Sequence, residues 1–151
     1  MIVVSMNAED PKLEEVIFFL IEQTNRRAKA HSQQAFNESG LDVTVEQWVL
    51  LKQLQQHPGI TQNELADLAI KDAASITRML DVLQRKGLTL RLDAPGDRRK
   101  SLVALTPEGE ALIQKHMGLV IQLREQGVKG ISNEELALLK SLLLKMQANL
   151  S

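Results

Sequence analysis

The most constraining feature of this chain is one change of hydrophobic period. Through most of its 151 residues apolar side chains recur at helical spacing, but Leu88, Leu90 and Leu92 alternate with Thr89 and Arg91, and Ser101–Leu105 returns as a second strand-like run. Alternation marks a strand with one buried face, whereas repeats at i, i+3 and i+4 mark an amphipathic helix. The two short runs flank Asp93-Ala-Pro-Gly-Asp97, which is turn material, so they read as a β-hairpin with a long, basic tip. The expected fold class is mainly α with a small β-hairpin, in the order α–α–α–α–β–β–α–α.

Local signals punctuate the helices. Leu13, Val16, Ile17, Leu20 and Ile21 begin a helix that continues to about Phe36 and ends at Ser39-Gly40, with Gly40 as a left-handed cap. Thr44-Val-Glu-Gln47 has capping-box spacing and opens a second helix, which stops at His57 before Pro58-Gly59. Thr61-Gln-Asn-Glu64 has the same spacing and opens a short helix carrying Leu65, Ala66, Leu68 and Ala69. Asp72 is the expected N-cap of the next helix, which closes at Lys86-Gly87. Thr106-Pro107 starts a long helix to about Glu125, broken by Gly127 and Gly130, and Ser132-Asn-Glu-Glu135 opens a last helix to about Leu150.

Composition removes several function classes. There is no cysteine, hence no disulfide, thiolate metal site or cysteine nucleophile. Apolar runs such as Val16–Ile21 are too short to span a bilayer, and Met1–Asn7 lacks the basic flank and apolar stretch of a signal peptide. No membrane partner and a cytoplasmic location are therefore expected. One Trp, three Phe and no Tyr leave few rings for stacking single-stranded bases. The net charge is only −1, but the stretch from Lys71 to Lys100 carries eight basic and four acidic residues and stands at +4 against −5 for the rest. The last two helices are apolar on more than one side, through Leu112, Ile113, Met117, Leu119, Val120, Ile121 and Leu123 and then Leu136, Leu138, Leu139, Leu142, Leu143, Leu144, Met146 and Leu150. Such helices need burial on several sides, and a second copy of the chain is the expected partner.

The basic stretch contains the candidate site. Along Ala73–Lys86, Ile76, Met79, Leu80 and Leu83 form a buried stripe, and Ala74, Thr77, Arg78, Asp81 and Arg85 share the opposite face with Ser75 beside them. Small and hydroxylated residues allow close approach to a major groove, where an Arg reads guanine through two hydrogen bonds. The preceding short helix completes a helix-turn-helix, with Gln62 at an N-terminus suited to a phosphate. An amphipathic pair with a solvated face is the competing reading. The hairpin favours DNA, because Asp97-Arg98-Arg99-Lys100 brings three cations to the place where a wing meets the minor groove. Lys71, Arg91 and Lys100 are expected at phosphates, and Asp97 is expected to hold the wing's shape by pairing with an Arg.

These segments resemble the MarR family of bacterial winged-helix transcriptional regulators. The likeness runs through Thr44-Val-Glu-Gln-Trp48, Pro58-Gly-Ile-Thr-Gln-Asn-Glu-Leu-Ala66, Ser75-Ile-Thr-Arg78, Lys86-Gly-Leu88, Asp97-Arg-Arg99 and Leu105-Thr-Pro-Glu-Gly109. The resemblance implies a winged helix-turn-helix lobe (residues 39–106) on a helical dimerisation base, built from residues 1–38 and 107–151. It implies a homodimer on palindromic double-stranded DNA, acting as a repressor, and a small aromatic or phenolic effector that weakens DNA binding. In this chain the effector cleft is expected among Phe18, Phe19, Arg26, Trp48 and Met117, although Trp48 also suits a packing role beside Val45, Leu51 and Leu54. His31, His57 and His116 lack metal-ligand spacing, and nothing matches a nucleophile–base pair, a P-loop or paired catalytic acids. No metal, cofactor or enzymatic activity is expected. A winged-helix dimer docking an acidic protein is the alternative function, though such a partner would not need small hydroxyls beside Arg78.

Overall fold

The computed structural model describes residues 10–151, so the Met1–Asn7 stretch lies outside the described residues. A 3-10 turn at Leu13–Glu15 leads into α1 (Ile17–Ser39), followed by α2 (Val45–Gln56), α3 (Gln62–Ala69), α4 (Ala73–Arg85), β1 (Thr89–Ala94), β2 (Asp97–Leu105), α5 (Pro107–Gly127) and α6 (Asn133–Asn149). This is the expected order and fold class.

Most boundaries follow from local hydrogen bonding. Gly40 caps α1 at φ 77°, and the Thr44 and Ser132 hydroxyls each complete a reciprocal capping box with Gln47 and Glu135. Asp72 caps α4 by accepting the Ser75 N–H. At α3 the Thr61 hydroxyl accepts the Glu64 N–H, but the Glu64 side chain makes no return bond, so the expected capping box is only half formed. That helix ends at Ile70, a β-branched residue in the left-handed region (φ 52°), a conformation that costs free energy for any side chain but glycine.

The chain divides into two compact units, the first running to Met117 and the second spanning Gly118–Ser151. The core of the first unit is formed by Leu50, Leu51 and Leu54 from α2, Leu65 from α3, Ile76, Leu80 and Leu83 from α4, Val103 from β2 and Ile113 from α5. Ile76, Leu80 and Leu83 are the expected inward stripe of α4. Trp48 is also buried, edge-on to Phe36 of α1 with ring centroids 6.0 Å apart. In the second unit Val120 and Leu123 are buried, whereas α6 has no buried residue.

The hairpin corrects one expectation. Its strands run to the turn, and the basic residues belong to β2 rather than to a long tip. Asp93 pairs with Ser101 and Ala94 with Asp97, so Arg98, Arg99 and Lys100 bulge out opposite a single step of β1. The segment before α3 adds an edge to this sheet, with a bridge between Thr61 and Leu102 and a 3.0 Å bond from the Val103 N–H to the Ile60 carbonyl.

The start of α5 locks onto the end of α4. The Thr106 hydroxyl donates to the Gly87 carbonyl (2.6 Å) and accepts the Gly109 N–H (3.1 Å), while the Thr106 N–H donates to the Leu88 carbonyl. A side chain at Gly109 would place its Cβ 2.3 Å from the Leu88 carbonyl oxygen, which no L-residue tolerates without movement. The Thr-Pro-x-Gly motif is thus a tight backbone junction between the wing and the following helix.

Candidate nucleic-acid interface

The outward face of α4 begins at its cap. Asp72 accepts both the N–H and the hydroxyl of Ser75 (2.8 Å each), and the Ser75 hydroxyl accepts an Arg78 Nη2 bond at 3.2 Å. The two bonds from Ser75 hold the Asp72 carboxyl below the usual carboxylate range. Ala74 and Arg78 are exposed and Ser75 is half-exposed, leaving small side chains and one guanidinium on the N-terminal half of the helix. Arg78 gives one donor to Ser75 and interacts electrostatically with Asp72, and its other guanidinium donors leave charge-assisted hydrogen bonding available.

Thr77 is differently placed. Its hydroxyl donates to the Ala73 carbonyl at 2.9 Å and accepts from Gln62 Nε2 at 2.8 Å, so Thr77 and Gln62 satisfy each other across α3 and α4. Arg91 also departs from expectation. Rather than standing free for a phosphate, it pairs with Asp81 at 2.9 Å and donates to Gln62, Gln84 and the Thr77 carbonyl. Lys71 points instead toward Glu46 of α2, at 3.7 Å. Asp81, Gln84 and Glu46 were the partners that sequence reasoning missed. No local pattern signals them, since each contact joins different secondary-structure elements.

In the wing, Asp97 Oδ1 accepts the Arg99 N–H at 2.9 Å and lies 3.9 Å from Arg99 Nε. Asp97 therefore shapes the bulge chiefly through the backbone and only weakly as an ion pair. Arg98, Arg99 and Lys100 are exposed. Between the bulge and α3 lies a groove lined by Thr61, Gln62, Asn63, Glu64 and Asp67 on one side and Arg99, Lys100 and Ser101 on the other. It therefore carries two cations from β2 and two carboxylates from α3, and its formal charge is balanced.

A second concavity lies among α1, α2 and the α3–α4 turn, with a volume of about 410 Å³. Val45, Val49, Leu68, Ile70 and Met79 supply its apolar walls, and Lys29, Glu46, Lys71, Asn25 and Gln53 its polar groups. Glu46 pairs with Lys29 and Lys71, and the Lys29 hydrogen bond, with Lys71 nearby, holds its carboxyl below the usual range. The amide oxygen of Gln53 is buried without a hydrogen-bond partner. None of the five residues expected to form an effector cleft lines this space. Phe18 is exposed near the start of α1, Phe19 is half-exposed, Arg26 is exposed and paired with Glu22, Trp48 is in the core and Met117 is half-exposed on α5. Among the described residues no group of three or more His, Asp or Glu could hold a metal ion, and no helix is long and apolar enough to cross a membrane.

Comparison with known proteins agrees with this architecture. The model of the MarR family matches residues 43–101, the segment holding the helix-turn-helix and most of the wing. A mutant MarR from E. coli, solved in complex with operator DNA, is 31% identical, with a TM-score of 0.80 over 91% of this chain and 99% of that one. The S. aureus MepR–DNA complex is 26% identical, with a TM-score of 0.82 over 90% and 99% of the two chains. Bordetella bronchiseptica BpsR, whose DNA binding is regulated by 6-hydroxynicotinic acid, is also 26% identical, with a TM-score of 0.82 over 92% and 98%. On the evidence of its lobe, its wing and these full-length likenesses, the chain belongs to the MarR family of winged-helix transcriptional regulators.

Proposed function

We propose that the protein is a homodimeric repressor that binds a pseudo-palindromic duplex and is released by a small aromatic acid. The observation that carries the DNA reading is the pairing, within one unit, of the open Ala74–Ser75–Arg78 face of α4 with the exposed Arg98–Lys100 bulge. The first suits base edges in a major groove and the second suits the adjacent backbone or minor groove. The dimer reading is supported by α6, whose Leu138, Leu139, Leu142 and Leu144 are all exposed, and by exposed Ile17, Phe18 and Leu20 on α1. Two such lobes would read half-sites one or two helical turns apart.

The effector reading rests on the cleft beside α1 and α2. Its volume lies within the range of small-molecule sites, and its apolar walls carry two lysines that a carboxylate could share with Glu46. Occupancy acts on DNA only through differential affinity for two arrangements of the protein, with a coupling of about 1–3 kcal/mol.

The test is enrichment of a duplex from a random library by the purified protein, followed by affinity measurement across salt concentrations. Arg78→Ala should cost about 1–3 kcal/mol and relax sequence preference. Arg98→Ala should weaken all duplexes alike and flatten the salt dependence. Failure to enrich any duplex would remove the DNA reading. Titration with 6-hydroxynicotinic acid and other phenolic acids should lower affinity for the enriched duplex, and binding without that loss would refute release.

A further inference from the structure

Arg91 makes four contacts at once. From β1 its guanidinium reaches Asp81 Oδ1 (2.9 Å) and the Thr77 carbonyl (3.2 Å) through Nη2, Gln84 Oε1 (3.0 Å) through Nη1, and Gln62 Oε1 (3.2 Å) through Nε. Gln62 in turn donates to the Thr77 hydroxyl at 2.8 Å. One side chain therefore ties the first residue of α3, three residues of α4 and the wing strand together. Its own exposure is 24%, low for a cation on a DNA-binding surface.

We infer that Arg91 is a positioning residue for DNA recognition, a latch that sets the recognition helix α4 against the wing and neutralises Asp81. This inference rests on the DNA-binding reading above. Two physical arguments support it. The planar guanidinium fork has donors in fixed directions and so transmits orientation, which a lysine ammonium on a flexible stem does not. Asp81 is a half-exposed carboxylate on the same helix as Arg78, and without Arg91 it would add a like charge to a surface that approaches phosphates. An arginine already held by a carboxylate also releases fewer DNA counterions than a free one.

The latch separates from an ordinary phosphate contact by two measurements. In the free protein, Arg91→Lys and Asp81→Asn should each lower Tm by about 2–4 °C, and the double variant should fall no further than the worse single one. Strictly additive shifts would overturn the latch, whether or not DNA is bound. On a duplex enriched by the wild-type protein, Arg91→Lys should lose roughly tenfold in affinity while binding to a random duplex stays within about twofold. A phosphate contact predicts the opposite, because lysine keeps the charge. Arg91→Lys indistinguishable from wild type, with Arg91→Gln weakening both duplexes equally and lowering the salt slope by about 1, would also overturn the latch. If the wild-type protein enriches no duplex, the DNA reading fails, and the thermal measurement still decides whether Arg91 couples α4 to the wing.

Discussion

The lobe and the last helix are both rich in leucine and place it in opposite ways. In α2, α3 and α4, Leu50, Leu51, Leu54, Leu65, Leu80 and Leu83 are all buried. In α6 nothing is buried, and Leu142 and Leu144 are 46% and 54% exposed. These six leucines are buried within the chain, although Val49, Leu68 and Ile70 of the same lobe are exposed, and a large-to-small change at one of the six leaves a cavity that its neighbours fill only in part. Helix α6 carries exposed apolar surface, which the dimer proposed above would bury. Hydrophobic content alone does not distinguish these cases; its angular distribution on the helix does.

The widest test of that contrast changes one leucine in each region. Leu80→Ala should cost about 2–5 kcal/mol of stability, read by denaturant unfolding. Leu142→Asp should leave the lobe's secondary structure intact but shift the mass in light scattering from about twice 16.9 kDa to a single chain. Loss of lobe structure in the second variant would show that α6 belongs to the same cooperative unit. A finer test uses two glycines of α5. Gly109→Ala should destabilise by about 1–3 kcal/mol, because its Cβ meets the Leu88 carbonyl. Gly118→Ala meets nothing within 4 Å and should gain up to about 1 kcal/mol in helix propensity, measured in the monomeric Leu142→Asp background.

The smallest effect concerns Glu46. Its carboxyl in the folded state lies below the ordinary value of 4.5, mainly through the Lys29 hydrogen bond. A depressed carboxylate stabilises the fold fully above its unfolded pKa, and that stabilisation is lost as pH falls through the folded value. Glu46→Gln should therefore lower Tm slightly at neutral pH, with the gap from wild type closing in acid. A gap that persists below the carboxylate range would assign the loss to packing. The pair is half-exposed, so high salt should shrink it as well.

Where a fold decision is local, it was legible in the sequence. Thr44, Asp72, Ser132 and Gly40 are caps whose partners lie within four residues, and the helices begin or end where they stand. The half-formed box at Thr61 marks the edge of that legibility, since an acid at the right spacing need not turn back. The candidate site was read only in part. Ala74, Ser75 and Arg78 follow from helical phase, but the occupation of Arg91 by Asp81, Gln84 and Gln62 depends on how β1 lies against α3 and α4. The described concavity was not legible for a related reason. Which faces of α1 and α2 leave a gap depends on the geometry of their packing, and the aromatic residues that drew attention include Trp48, which fills the core instead.

The bulge in the wing bears on how such a protein changes over generations. Arg98, Arg99 and Lys100 fall between two matched pairs of the ladder, so the register from Thr89 to Asp93 does not depend on them. Adding or removing one residue there alters the reach of the wing by about 3.3 Å and leaves the pairing below it undisturbed. Cations can be gained, lost or shifted along the groove while the inward face of α4 and the Gly109 junction stay as they are. Under the DNA-binding reading proposed above, the wing's exposed cations thus stand apart from the paired strands and the core, and their number and placement can change without reopening that core.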